Sequence, residues 1–521
     1  MPYLDVKGAT SLRGTRYLGV EVENRTIWIR ERAFLDKKHV LKVLARHDVV
    51  LMEKKPMDSF FQRASSVKAF PERKIAEKFG WNDDAYVFRD GSVATAGAEY
   101  EGIDAELELT SRLVAGSLDD YHKNVIRPLR HNPLGLFALA VSLAAPLLKY
   151  SDLGFNPAFE LVGPTGIGKT TLQKVAVSVS GPWMTDSGPR IWSDHLGGKD
   201  DAAKLTALFR DGALILDSRD PSRLGTSAAQ KHAAYRSNAV RLTDSSVGRL
   251  VVLSSSNETL AHWLGKEEAL AASRPHTFVI PVDGRQFGVF DHVPDDFHSA
   301  GDLADHVAHS CSQLHGVMFD HFVRKLVHDL EARPGHLEKS IRSRMARFRE
   351  ATGIEPNDGA SRRRADAFGV VYAAAWLAGK WNVLPAKIPV KRYRPAVMTA
   401  YRLNLGSFTS AADVETTLLE AAQTKAVRCG PNAVGTSLVS APYIIRSGSE
   451  SAEFWITQDG MRELFGNWEQ LRCVPAIAAL FGRGKDGLLI KKKQLGGVKL
   501  GRRYTYELPA GWDSGSPLFE E

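Results

Sequence analysis

The chain has 521 residues, of which 44% are hydrophobic and 25% charged, with 68 Lys plus Arg against 60 Asp plus Glu for a formal net charge of +8. At about 100 to 200 residues per domain, this length predicts three or four domains with real cores and excludes a single small module. The composition excludes wholesale disorder, collagen and coiled coil, and the mildly basic balance permits nucleic acid as a partner without demanding it.

In chain order, the opening MPYLDVKGATSLRG has no apolar h-region, so a secretory signal is not expected and a cytoplasmic location is. Residues 1–125 read as a small α+β domain, with β-like runs at Arg16 to Val22 and Thr26 to Arg30 and a hairpin around Trp81 to Ala94. The apolar run Pro133 to Leu148 is shorter than the roughly 20 residues of a membrane span and contains Pro146. It is expected to be a buried helix, with a membrane re-entrant segment as the rival. Phe159 to Val162 is a buried parallel strand stopped by Gly163, and apolar runs at Ala213 to Leu216 and Leu250 to Leu253 extend a parallel α/β core over 126–299. Residues 300–384 are almost wholly helical, including Leu303 to Leu330 and Ala365 to Trp381, as in a helical lid. The basic, proline-flanked segment from Pro385 to Pro395 predicts an extended linker over 385–409. Residues 410–521 begin with a helix from Ala411 opened by Ser410, continue in short helices, and close with an alternating hairpin, Leu488 to Leu508, broken at Gly496 and Gly497. That succession describes a winged helix.

The motif that carries chemistry is Gly163-Pro164-Thr165-Gly166-Ile167-Gly168-Lys169-Thr170, which matches G-x-x-x-x-G-K-[ST] and is followed by Thr171. A strand precedes it and a helix follows. Glycines let successive backbone N–H groups turn toward an anion, and the helix adds its positive end. Lys169 would reach the β- and γ-phosphates of ATP, and Thr170 would offer its hydroxyl to Mg²⁺. The bland alternative is a glycine-rich turn with an accidental lysine.

The apolar strand Ala213 to Leu216 ends in Asp217, where a carboxylate would hold the water shell of Mg²⁺. A glutamate that orients the attacking water is the usual next residue, yet Ser218 stands there, followed by Arg219 and Asp220, which leaves hydrolysis in question. The third strand runs into Ser254-Ser255-Ser256-Asn257, and Asn257 is the candidate to touch the γ-phosphate, against the alternative of an ordinary turn.

For nucleic acid, the clearest patch is Lys491, Lys492, Lys493, Lys499, Arg502 and Arg503, on the terminal hairpin with Tyr504 and Tyr506 interleaved. A wing of this kind lies along phosphates with little sequence preference; the alternative is an edge strand kept soluble by lysines. The stretch Lys387 to Arg394 is a second basic candidate. Cys311, Cys429 and Cys473 lie far apart with no C-x-x-C pair, excluding a disulfide framework and a cysteine zinc site. No H-E-x-x-H, G-x-S-x-G or polymerase-like aspartate pair is present.

The segments ELVGPTGIGKTTLQKVAVSVSG, LFRDGALILD, VVLSSSNETLAHWL and FVIPVD, with Trp192 between the first two, resemble the domain of unknown function 927 family of helicase- or primase-like ATPases in phages, plasmids and genomic islands. The upstream FGWNDDAYVFRDGSV and the downstream run from Arg364 extend the likeness over most of residues 75–385. The resemblance implies an AAA+ P-loop NTPase core, related to minichromosome maintenance and superfamily 3 helicases, between the N-terminal α+β domain and the lid, with the winged-helix-like domain last. It implies ATP at the interfaces of a homo-oligomeric ring, expected to be a hexamer, with Arg274 as the arginine supplied by the neighbour and Arg285 as its rival. Arg364 is the corresponding lid arginine, with Arg362 and Arg363 as rivals. Lys199, in the loop Gly197-Gly198-Lys199, falls where such helicases carry a pore hairpin. The expected activity is ATP-dependent translocation on single-stranded or forked DNA during replication of a mobile element, with a replication or loading partner and no membrane. A DNA-bound ATP switch that hydrolyses poorly, or a phage-defence ATPase, is the alternative.

Overall fold

The computed structural model describes residues 4–97, 99–110, 114–183, 200–217, 238, 241–246, 248–257, 276–282, 287–354, 359–385, 393–406, 411–429, 438–447, 452–465, 475–482, 490–495, 498–509 and 512. Two compact units are present, the first comprising Met1–Leu161, Gly168–Phe278 and Phe290–Val397, the second Val162–Ile167, Val279–Val289 and Met398–Glu521.

In the first unit, β1 (Val6–Ser11), β2 (Arg16–Val22) and β3 (Arg25–Arg30) form an antiparallel meander, and β4 (Glu72–Arg73) joins β1 in parallel. Helices α1 (Lys37–Arg46) and α2 (Lys54–Ser66) complete its core, where Val20, Ile27 and Ile29 meet Val40, Leu44 and Phe60. Asp36 starts α1 by accepting hydrogen bonds from the N–H groups of Lys38 and His39. Next come β5 (Ile75–Ala76), then β6 (Gly80–Asn82), β7 (Ala85–Val87) and β8 (Val93–Ala94), then β9 (Gly102–Ile103), which pairs with β5. The hairpin expected at Trp81 to Ala94 is thus a three-stranded meander. Asp211 ties it to the rest of the first unit. Its carboxylate accepts from the Trp81 N–H at 3.0 Å and pairs with Arg249 at 2.8 Å, while its carbonyl accepts from the Tyr86 hydroxyl at 3.0 Å.

Helix α3 (Pro133–Ala144) starts on a proline whose missing N–H costs nothing in a first turn, and Leu134 through Ala144 are all buried. A helix apolar all round belongs in a core. Pro133–Tyr150 is long and apolar enough to cross a membrane, yet 89% of it is buried inside the protein, in keeping with the buried-helix reading. The central sheet contains β10 (Ala158–Val162), β11 (Ala213–Leu216), β12 (Val251–Ser256) and β13 (Thr277–Pro281) in the order β11-β12-β10-β13. Its helices include α4 (Lys169–Ser180) and α5 (Asp201–Leu208). Strands β11 and β12 are parallel, with Leu216 opposite Ser254.

Four helices follow: α6 (Ala300–Gln313), α7 (Val317–Ala332), α8 (His336–Thr352) and α9 (Gly359–Lys380). The helical run expected from Leu303 to Leu330 is broken at Gly316, whose φ of 76° ends any continuation. Helix α9 packs on α3 and α8, and Phe368 meets Phe137 at 5.8 Å and Phe159 at 5.0 Å between ring centroids.

Helix α10 (Tyr393–Gly406) corrects the expected linker over residues 393–406, which are helical although Pro395 lies among them; residues 386–392 and 407–409 lie outside the described residues. Pro395 falls in the first turn, where it is tolerated, and Ala396, Val397, Ala400 and Tyr401 are buried. In the second unit, α11 (Ala411–Thr424), β14 (Val427–Cys429), β15 (Tyr443–Ser447), β16 (Ala452–Ile456), α12 (Gln458–Phe465), α13 (Pro475–Ala478), β17 (Ile490–Leu495) and β18 (Val498–Leu508) follow in order. The expected terminal hairpin is β17–β18, in a five-stranded sheet of order β14-β15-β16-β18-β17. Strands β14 to β16 stand where only short helices were expected. The core of this unit joins Leu418 of α11 and Met461 of α12 to Phe454, Tyr504 and Tyr506.

Candidate nucleotide site and basic surfaces

The loop between β10 and α4 is built by its glycines. Gly166 and Gly168 have φ of 87° and 98°, a left-handed backbone that other residues rarely adopt. Gly168 occupies the N-cap of α4 and has no side chain to cap the first turn, so that end of the helix offers N–H groups to an anion.

Around the start of α4, four sequence candidates come together. Lys169 Nζ donates to Asn257 Oδ1 at 3.3 Å, and Thr170 Oγ1 lies 3.1 and 3.3 Å from the two carboxylate oxygens of Asp217. The sheet order explains the convergence. Strand β12 lies between β10, which leads into the loop, and β11, which ends at Asp217, so the polar tip of β12 falls between lysine and carboxylate. Such a position at the carboxyl ends of strands is where open α/β sheets bind ligands.

Three further residues shape the site without any motif to mark them in the sequence. Ser255 Oγ donates to Asp217 Oδ1 at 2.8 Å, a contact set by the parallel register that puts Leu216 beside Ser254. Gln173, one turn beyond Lys169 and fully buried, donates through Nε2 to the Leu216 carbonyl at 2.7 Å and fixes the end of β11 against α4. Ser256 donates to Glu160 Oε1 at 2.9 Å, anchoring the tip of β12 to β10. Only pairing register distinguishes these serines from turn residues, and one sequence does not contain it.

Lys169 is 8% exposed. Burial lowers its pKa, and the neighbouring Asp217 opposes that shift. An ammonium held partly desolvated beside one carboxylate gains from an arriving polyanion. Thr170 and Asp217 supply one hydroxyl and one carboxylate, a donor set that fits Mg²⁺ sharing its remaining positions with phosphate and water. No group of three or more His, Cys, Asp or Glu suited to a metal occurs among the described residues.

Arg364 lies in the second turn of α9 and is half-buried. Lys199, Ser218, Arg274 and Arg285 lie outside the described residues, as does the basic stretch from Lys387 to residue 392. On the terminal hairpin the six expected cations divide. Lys492, Lys499 and Arg502 are exposed and Lys491 half-buried. Lys493 pairs with Glu453 at 3.1 Å. Arg503 is corrected outright: it is 0% exposed and donates to the carbonyls of Leu438, Val439, Ala441 and Leu500, bracing the turn before β15. Tyr504 and Tyr506 are also buried, so they present no stacking surface. Alternation along β18 puts alternate residues on opposite faces, and both faces are covered from Arg503 to Tyr506.

Among known families, the one described as Domain of unknown function (DUF927) matches residues 5–217. The match begins nearer the N-terminus than the likeness seen in the sequence and ends at Asp217, so it takes in the N-terminal sheet, the β6–β8 meander, the phosphate-loop motif and the acidic strand end. A solved structure titled "SCCmec type IV Cch - active helicase" is similar over 99% of this chain and 95% of that one, with a TM-score of 0.54 and 14% sequence identity. At that identity the likeness concerns the mixed α/β fold. No curated protein matches.

Proposed function

We propose that the protein is an ATPase of AAA+ type that moves on or unwinds DNA, in replication of a mobile element in the cytoplasm. The observation that carries the reading is the convergence of Lys169, Thr170, Asp217 and Asn257 at the ends of β10, β11 and β12. In this reading the loop N–H groups and Lys169 bind the triphosphate, and Thr170 and Asp217 hold Mg²⁺, which when bound neutralises charge developing on the phosphates. Ser255 keeps the Asp217 carboxylate turned toward Thr170. Asn257, which takes a hydrogen bond from Lys169, is freed to contact the terminal phosphate once that lysine turns to the nucleotide. Arg274 would come from a neighbouring subunit of a hexameric ring, with Arg364 completing the site from the lid and Lys199 at the pore. The order of α11, β16, α12, α13, β17 and β18, in which β18 lies between β16 and β17, supports a winged-helix-like module with two strands added, whose exposed Lys492, Lys499 and Arg502 meet phosphates. Strand displacement on a forked duplex tests the proposal: unwinding by the wild type and none by Lys169→Ala is expected, and equal activity of the two would refute it.

A second reading, an ATP-bound switch with slow turnover, draws on Ser218 standing where an acid is expected. Tight nucleotide binding with negligible turnover, unmoved by DNA, would favour it.

A further inference from the structure

Away from the nucleotide site, the antiparallel pair α8 and α9 carries an unusual set of cations. Arg342 and Arg349 of α8 have carboxylate partners, Asp152 at 2.7 Å and Asp366 at 2.7 Å. Arg344 and Arg347, one turn apart on α8, form no ion pair among the described residues. Instead the Arg344 guanidinium stacks on the half-exposed Trp376 of α9, 3.8 Å from the ring centroid. Lys380, one turn further along α9 and exposed, stands 5.5 Å from the same ring. The Arg344 Nε is buried without an acceptor among the described residues.

These distances describe a cationic stack with a second cation, Lys380, beside it and no acid engaged among the described residues. A tryptophan face attracts a cation held over it, which accounts for Arg344 on Trp376. It does not account for Arg347, one turn along α8 from Arg344, which like Lys380 has no acid partner among the described residues, whereas Arg342 and Arg349 of the same helix pair with Asp152 and Asp366. Planar guanidinium and indole surfaces stack well on nucleobases, and unpaired cations at their rim match the phosphates between those bases. A duplex hides its base faces; a single strand exposes them.

Resting on the nucleic-acid reading above, we infer that Arg344, Trp376, Arg347 and Lys380 form a binding platform for single-stranded nucleic acid: a base continues the Trp376–Arg344 stack, and its flanking phosphates lie on Arg347 and Lys380. This platform belongs to the helical region rather than to the terminal hairpin or the phosphate loop.

Fluorescence anisotropy of a labelled oligothymidylate with the full chain tests it, over a range of salt. Trp376→Ala is expected to weaken binding about 5- to 150-fold, and Trp376→Phe to restore much of it. The double variant R347E/K380E changes only surface charge and folds without disturbing the core. Its affinity should fall, with the slope of log affinity against log salt reduced by about 1.4, near 0.7 for each phosphate no longer neutralised. Arg344→Lys keeps the charge and removes the plane, so it should weaken affinity while leaving that slope unchanged. Wild-type protein that fails to bind the oligonucleotide would overturn the nucleic-acid reading itself. Wild-type binding matched in affinity and salt slope by R347E/K380E would overturn this platform and leave that reading standing.

Discussion

At the scale of single residues, the site divides into groups that would touch nucleotide and groups that hold them. Asp217→Asn should abolish hydrolysis and spare nucleotide binding, because it removes charge from the magnesium side and leaves Lys169 and the loop intact. Ser255→Ala is more discriminating. It deletes a 2.8 Å hydrogen bond to a carboxylate, an interaction of about 1.5–3 kcal/mol when one partner is charged. The turnover rate is therefore expected to drop about 10- to 100-fold with KM for ATP little changed; a loss confined to KM would show that Ser255 does not position Asp217 for the reaction. A pH-dependent prediction concerns Lys78. Burial first, then the positive charges of Arg13 and Arg210, lower its pKa to about 8. The folded state thus disfavours the charged form: the penalty is complete below about pH 8 and vanishes above the unfolded value near 10.4. Lys78→Met should raise Tm at pH 7 and leave it unchanged near pH 10.5, as thermal melts at the two values would read. The residues most legible from sequence are those whose spacing is itself the mechanism, from Gly163 to Thr170 with Asp217. Ser255, Gln173 and Glu160 are not, because their roles arise from pairing register and burial across elements far apart in the chain.

At the scale of elements, legibility depends on whether one covering face decides the pattern. Helix α3 is legible because a helix apolar on every side has only one place to go. Within the expected linker the reading fails over 393–406, because a proline that reads as a breaker is tolerated in the first turn of α10. Strands β14 to β16 escape a sequence reading because they are short, and Tyr443, Ile444 and Ile445 form a buried run without alternation. The hairpin β17–β18 is legible but the cover over it is not: Arg503 to Tyr506 are buried in succession, so both faces of β18 are covered there and neither Arg503 nor the tyrosines reach solvent. Its register leads to a prediction. Lys492 and Arg502 stand directly opposite each other across the two strands, both exposed. Like charges in that relation destabilise a pair by a few tenths to about 1 kcal/mol. Lys492→Glu should therefore stabilise the hairpin, raising Tm slightly, while weakening DNA binding and lowering its salt slope. A variant that gains stability and keeps full DNA affinity would show that the paired cations serve solubility alone.

For the molecule as a whole, the question is whether one chain completes its own nucleotide site. In the proposed reading, the described groups that meet at the start of α4 would supply phosphate-binding donors, a carboxylate for Mg²⁺ and the ammonium of Lys169. A phosphoryl transfer site works by balancing the charge that spreads over the transferred group, and an arginine brought to the γ-phosphate is worth about 10³- to 10⁵-fold in rate where it has been measured. If that arginine is Arg274 of a neighbouring subunit, turnover depends on assembly. The rate per protomer should then rise with protein concentration and reach a plateau where light scattering reports a ring of about six protomers. Arg274→Ala should bind ATP as the wild type does and assemble normally, yet hydrolyse at the rate of the dilute protein. Mixing it with excess Asp217→Asn separates the models: each variant lacks a different side of the interface, so mixed rings restore one complete site wherever an intact Arg274 faces an intact Asp217. Recovery of activity in the mixture is the expected result, and a mixture as inactive as its components would mean that each subunit completes its own site.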